Sequence, residues 1–168
     1  MILQYDDWVF DVDILKTESI SNTEAAEHCK CGYCRNFYAG IDGFYPNFRG
    51  FFAAFGVNIE APDELMPYEE GNEVHYYGVV SVCGNIISNG TKPLVIDGIQ
   101  IEPYAKNVYN INSVCPAPCF YLAFSDLLLN WNLDEPMDTV ESDAKDPTFV
   151  RRIWDRIFGK VSSDDILS

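Results

Sequence analysis

Hydrophobic and polar residues alternate near the start of the chain. Trp8, Phe10, Val12 and Ile14 alternate with positions that are mostly acidic. This period of two is typical of a strand that buries one face. The pattern therefore predicts an N-terminal strand.

The pattern changes to helical spacing in the cysteine-rich segment 21–56. Ser21 and Glu24 have the spacing of a capping box, which predicts a helix that runs towards the cysteines. Four phenylalanines then recur at the i, i+3, i+4, i+7 spacing of a helix packed on a core: Phe48, Phe51, Phe52 and Phe55. Pro46 and Gly56 suit the start and the end of that helix.

The next part of the chain is predicted to be a loop and then a sheet. Residues 57–74 are rich in proline and acid, which favours a loop. Residues 74–131 contain four runs of β-branched and aromatic residues, which predict an antiparallel β-meander. The Asn-Gly pair at 89–90 and the Asp-Gly pair at 97–98 predict its hairpin turns.

The order of elements indicates the fold class. Residues 147–158 predict a C-terminal helix, because Asp146 and Pro147 suit its start and the apolar residues follow at helical spacing. Runs of strands, without strict β-α alternation, predict an α+β fold: an antiparallel sheet of about four to six strands with about two to three helices packed mainly on one face. A length of 168 residues, 48% of them hydrophobic, suits a single domain over residues 1–168.

The charge balance narrows the range of partners. Twenty-six acidic residues against eleven basic ones give a net charge of −15. Such a chain repels phosphate backbones and anionic lipid, so nucleic acid and membrane are not expected partners. The N-terminus is acidic where a signal peptide is basic, and no apolar run is long enough to span a bilayer. We expect a cytoplasmic protein with reduced thiols.

The acidic residues are unevenly distributed, and this predicts a binding surface. No Lys or Arg occurs from Gly50 to Thr91. Eight residues in this stretch are candidates for contact with a partner: Glu60, Asp63, Glu64, Glu69, Glu70, Glu73, Tyr76 and Tyr77. Their composition fits docking on a basic protein, as in bacterial immunity proteins of similar size and charge that neutralise basic nucleases. The favoured function is thus non-enzymatic protein binding, and an ordinary solvated face is the alternative.

The segment "HCKCGYC" at 28–34 predicts a second function, zinc binding. Its C-x-x-C spacing lets two sulfurs face one ion, and a second cysteine pair follows about eighty residues later. The candidate ligands are His28, Cys29, Cys31, Cys34, Cys115 and Cys119. The favoured interpretation is that these thiols only fill gaps in the core, as we expect of Cys83, so no cofactor is expected and zinc is the alternative.

Two resemblances bear on the same segment. Cys31-Gly32-Tyr33-Cys34 resembles the active site of thioredoxin-like disulfide oxidoreductases, and this likeness implies an attacking Cys31, a resolving Cys34 and a cis bond before Pro93. The stretches "HCKCGYCRNF", "APDE" and "LLLNWNLDEP" are similar to a group of small uncharacterised bacterial proteins that carry C-x-C-x-x-C-R-N. That similarity implies a bacterial cytosolic origin, and it implies neither a reaction nor a ligand.

Overall fold

The computed structural model describes residues 1–25, 29–105 and 113–137. The strands are β1 (Ile2–Tyr5), β2 (Trp8–Val12), β3 (Glu64–Glu70), β4 (Glu73–Ser88), β5 (Leu94–Ile96), β6 (Ile99–Tyr104) and β7 (Cys119–Asn130). The helices are α1 (Ile14–Ala25), α2 (Gly32–Phe44) and α3 (Phe48–Ala54). The helix predicted at 147–158 lies outside the described residues.

One antiparallel sheet contains all seven of these strands, and the helices pack against it. The strand order is β1-β2-β4-β7-β6-β5, and β3 also pairs with β4. This confirms the predicted α+β class, with slightly more strands than expected. The predicted meander is wrong in one respect, because β4 pairs with β7 and not with β5. Strands β4 and β7 are long, and their pairing places Val80 opposite Leu122 and Val82 opposite Phe120 in the core.

Only one of the two predicted hairpin turns joins paired strands. Asp97 and Gly98 connect β5 to β6 as a two-residue turn, and both have the positive φ that the Asp-Gly pair favours. Gly90 instead approaches Trp8 so closely that a Cβ would lie 2.1 Å from the indole nitrogen. The next residue, Thr91, donates hydrogen bonds to the Asp7 carboxylate, so this segment docks on the β1–β2 hairpin.

The N-terminal region has one strand more than predicted, and its helix begins earlier. β1 and β2 form a hairpin, and α1 begins at Ile14, which the alternation had assigned to the strand. The Asp13 carboxylate accepts a hydrogen bond from the Lys16 amide and so caps this helix. Ser21 lies inside α1, where its hydroxyl accepts a hydrogen bond from the Asn58 amide, so the predicted capping box is wrong.

The predicted loop at 57–74 contains strand β3. Within the sheet β3 pairs with β4 alone, and it carries Pro67 and several acidic residues. Proline and charge are common on edge strands, since they discourage pairing with another chain. The acid and proline content that suggested a loop is therefore explained by the position of β3 at an edge.

Aromatic residues fill the core between the helices and the sheet. The predicted phenylalanine stripe is confirmed, and all four of its side chains are buried. Phe48 packs edge-on against Phe124 of β7, with ring centroids 5.2 Å apart. Helix α2 adds Phe37, which stacks on the same Phe124 ring. This packing holds α2, whose first turn contains Cys34, against the sheet.

Candidate metal centre

Three cysteine sulfurs converge at the start of α2. Cys29 and Cys31 lie in the segment before the helix, and Cys34 lies in its first turn. Cys31 is the N-cap residue with an extended backbone, which turns the chain into the helix. The three Sγ atoms all lie within 4.8 Å of one another. Cys29 and Cys31 are exposed, whereas Cys34 is 8% exposed. We call these three residues the N-terminal thiol cluster.

Hydrogen bonds within the cluster favour a thiolate at Cys29. The Cys31 amide donates to the Cys29 sulfur over 3.5 Å. This bond and a second one from the Cys31 side chain lower the pKa of Cys29 below its ordinary value. A thiolate is the form of cysteine that binds metal, so the lowered pKa of Cys29 favours binding of a cation.

The pKa of Cys34 is shifted in the opposite direction. Burial raises the pKa of Cys34 to about 12, with further contributions from the neighbouring Cys31 and Cys29 thiols. Three thiolates at this spacing repel one another, so the apo cluster retains the Cys34 proton at neutral pH. A divalent cation held by Cys29, Cys31 and Cys34 would supply the missing positive charge and favour loss of that proton.

Arg35 holds the backbone that carries the cluster. Its Nε donates to the Lys30 carbonyl over 3.0 Å, between Cys29 and Cys31 in sequence. Its amide donates to the Cys31 carbonyl, which is the first hydrogen bond of the helix. Its guanidinium also pairs with Glu135. The cysteine segment is therefore fastened to the chain that follows β7.

A buried polar group anchors the same helical turn to the sheet. Asn36 is fully buried, and its amide nitrogen donates to the Tyr76 hydroxyl of β4 over 3.1 Å. That hydroxyl donates to the Tyr33 carbonyl, and the Asn36 carbonyl oxygen accepts from the Asn132 amide. Sequence reasoning missed Asn36, although its place on the apolar face of α2, next to Phe37, was a usable signal.

The structure does not bring the other predicted ligands to this cluster. Cys115 and Cys119 lie beside Cys83 of β4: the Cys115 and Cys83 sulfurs are 2.7 Å apart, and Cys119 is the strand partner of Cys83. Neither belongs to the group formed by the N-terminal cysteines. His28 lies outside the described residues.

The predicted acidic surface is partly occupied by internal contacts. Glu60 pairs with Arg49, the Asp63 carboxylate accepts from the amide and hydroxyl of Ser81, and Glu69 accepts from the Tyr33 hydroxyl. Three carboxylates at the ends of β3 and the start of β4 are exposed: Glu64, Glu70 and Glu73.

The two predicted tyrosines of this surface differ. Tyr76 is 0% exposed and cannot contact a partner, because its hydroxyl is needed in the Asn36 network of the core. Its inclusion in the surface is therefore corrected. Tyr77 is half-buried on the opposite side of β4. Burial raises its pKa above the ordinary tyrosine value.

The thioredoxin-like interpretation gains no support from the surroundings of the cluster. Helix α1, and not a strand, precedes the cysteines. The cis peptide bond in the described chain precedes Pro118, whereas that resemblance implied one before Pro93.

Comparison with known proteins finds nothing similar: no protein family, no curated protein sequence and no solved structure matches the chain. Within the described residues, no helix combines the length and the apolar character needed to cross a bilayer. The candidate function therefore depends on the geometry of the site.

Proposed function

We propose that the protein binds a zinc ion through Cys29, Cys31 and Cys34. The observation that supports this is the convergence of three sulfurs within 4.8 Å of one another at a single helix start. The lowered pKa of Cys29 adds to it, since one ligand is already inclined to ionise.

The donor set and its spacing suit zinc. Zinc prefers thiolate ligands in a tetrahedron, and a Zn–S bond of about 2.3 Å places two sulfurs about 3.8 Å apart. The observed limit of 4.8 Å requires only small movements to reach that spacing. Among the described residues three ligands converge, and Cys29 and Cys31 are exposed, so water can reach the fourth position of the tetrahedron.

The proposed role of the ion is structural. The ion cross-links the segment before α2 to the first turn of that helix. Asn36 and Phe37 of the same helix are buried in the core. Because the ion binds the folded arrangement of the three thiols, binding adds to the stability of the fold. No catalytic step is required of it.

Metal analysis tests this proposal. Parent protein purified without added zinc, reloaded with zinc under reducing conditions and dialysed, is expected to retain about one equivalent of zinc. Cys34→Ser is expected to retain less than about a tenth, because its loss leaves only two thiolates. Cys119→Ser, which changes a half-exposed thiol outside the cluster, is the matched control and retains the parent amount. Equal zinc content in the parent and in Cys34→Ser would refute the site.

A second proposed activity, independent of the metal, is binding to a basic protein. The support is the exposed trio Glu64, Glu70 and Glu73 at the edge formed by β3, in a stretch without Lys or Arg from 50 to 91. Neutralising the trio with glutamine is expected to weaken binding to a panel of basic proteins at low salt. The control variant removes the same number of exposed charges elsewhere, at Asp6, Asp11 and Glu18. Equal binding by both variants would contradict a specific surface.

A further inference from the structure

A second group of thiols lies where β4 and β7 pair. Cys83 of β4 stands opposite Cys119 of β7, and Cys115 lies in the segment before β7. We call these three residues the sheet thiols. From their arrangement we propose that Cys83 and Cys115 are an oxidisable pair, which forms an intramolecular disulfide when the protein reacts with a small-molecule disulfide such as oxidised glutathione.

The two sulfurs are already close to bonding distance. The Cys83 and Cys115 Sγ atoms lie 2.7 Å apart, and a disulfide bond is about 2.0 Å long, so closure requires a movement of about 0.7 Å. Cys119 is directed elsewhere, since its sulfur lies 3.6 Å from the Tyr121 hydroxyl. The geometry therefore selects Cys115 over the strand neighbour of Cys83.

Hydrogen bonds hold the Cys83 side of the pair in place. The Cys83 amide donates to the Thr17 hydroxyl of α1 over 3.0 Å. The Gly84 amide donates to the Pro118 carbonyl, which ties the end of the Cys115 segment to β4. Cys83 itself is only 1% exposed. The Cys83 backbone is thus held by α1 and by the Cys115 segment, and its sulfur lies beside that of Cys115.

A separate set of hydrogen bonds holds the Cys115 side. The Ser113 hydroxyl donates to the Ser81 hydroxyl over 2.8 Å, and the Cys115 amide donates to the Ser113 hydroxyl. Ser81 and Cys83 are two residues apart on β4, so their side chains point to the same face. The segment that docks on Ser81 consequently carries Cys115 over Cys83, and hydrogen bonds on both sides support the proximity of the sulfurs.

The exchange proceeds in two balanced steps. A thiolate of the pair attacks one sulfur of oxidised glutathione, forms a mixed disulfide and releases one glutathione. The second protein thiol then attacks the protein sulfur of the mixed disulfide and releases the other glutathione. The protein loses two electrons and two protons, and these convert one oxidised glutathione into two reduced ones.

Cys115 is the entry point, because it is the more exposed of the two. Burial and the neighbouring Cys83 thiol raise the pKa of Cys115. The first step is therefore slow at neutral pH and becomes faster as the pH rises, since only the thiolate attacks.

Peptide mapping tests the proposal on the intact chain. Trypsin does not cut after Lys92, which precedes proline, so Cys83 stays in peptide 50–106, and Cys115 and Cys119 share peptide 107–145. The N-terminal thiol cluster falls in peptides 17–30 and 31–35, so it cannot produce the same cross-link. Monomeric protein is treated with oxidised glutathione, alkylated and analysed by mass spectrometry.

We expect a cross-link between peptides 50–106 and 107–145 in the parent and in Cys119→Ser, and its loss in Cys115→Ser. Cys119→Ser is the decisive variant, because Cys115 is then the only thiol in its peptide and the result does not depend on the folding of Cys115→Ser. Absence of the cross-link in Cys119→Ser would overturn the proposal. A cross-link that persists in folded Cys115→Ser at the parent yield would overturn the choice of Cys115.

Discussion

The N-terminal thiol cluster and the sheet thiols contain three cysteines each, yet their surroundings are opposite. At the start of α2 two sulfurs face solvent, and an amide donates to one of them. In the sheet the Cys83 sulfur lies 2.7 Å from the Cys115 sulfur, and the pairing of β4 with β7 shields Cys83 from solvent. In the first setting hydrogen bonds lower the pKa of Cys29, which favours binding of a cation. In the second, burial raises the pKa of Cys115, whose sulfur lies beside that of Cys83.

This contrast shows that residue type and number do not define the chemistry of a cysteine group. What differs is which backbone groups reach the sulfurs and how much water does. At the helix start the Cys31 amide is free to donate to a sulfur, whereas the Cys83 and Cys115 amides donate to the hydroxyls of Thr17 and Ser113. Hydrogen bonds and burial at each sulfur therefore set the direction in which its pKa shifts.

The largest expected difference between the two groups is in alkylation rate. In reduced, zinc-free protein at neutral pH, iodoacetamide should modify Cys29 at least about a thousandfold faster than Cys83. Cys29 is exposed with a lowered pKa, whereas Cys83 reacts only when the core opens. Mass spectrometry resolves the two, because Cys29 lies in tryptic peptide 17–30 and Cys83 in 50–106. Similar rates for both would break the comparison.

A smaller difference is expected when the polar support of each group is removed. Asn36→Ala removes the buried bonds that this side chain makes to the Tyr76 hydroxyl and to the Asn132 amide, and we expect the free energy of unfolding to fall by about 3 kcal/mol. Ser81→Ala, beside the sheet thiols, removes bonds that are partly exposed, and about 1 kcal/mol is expected. Urea denaturation of zinc-free protein measures both. A larger loss for Ser81→Ala would reverse the ranking.

The third expected difference is a pH dependence of stability that Cys34 contributes, and near pH 9 it is smaller than the two effects above. Its pKa is about 12 in the folded protein and near 9 in the unfolded chain, so unfolding releases its proton between these values. The contribution is fully present below pH 9 and is lost as the pH rises towards 12. Zinc-free parent should therefore lose stability more steeply than Cys34→Ser over this window, as followed by urea denaturation. Parallel curves would show that Cys34 is not shielded in the folded state.

Much of the fold was predictable because its signals are local. The phenylalanine spacing in α3 and the Asp-Gly turn at 97–98 each depend on a few neighbouring residues, and both are confirmed. The docking of Gly90 on Trp8 and the pairing of β4 with β7 depend on contacts far apart in the sequence. Strand β3 was missed because an edge position favours residues that otherwise indicate a loop.

The candidate sites divide in the same way. Cys29, Cys31 and Cys34 are close in sequence, so their convergence followed from spacing alone. Cys115 lies beside Cys83 because the chain that leads into β7 docks on β4. Sequence spacing gave no reason to prefer Cys83 over the N-terminal cysteines as the neighbour of Cys115. The burial of Tyr76 was likewise not predictable from its neighbours, because its hydroxyl is bonded to Asn36, forty residues earlier in the chain.

The length of β4 separates the two thiol groups and so limits the effect of one on the other. Its sixteen residues include Tyr76, which contacts α2 next to the N-terminal thiol cluster, and Cys83, which is one of the sheet thiols. Seven residues along a strand span about 23 Å, well beyond the distance at which substitutions usually couple. If both proposals hold, zinc loading at one site and oxidation at the other are expected to be independent of each other, which gives four combined states.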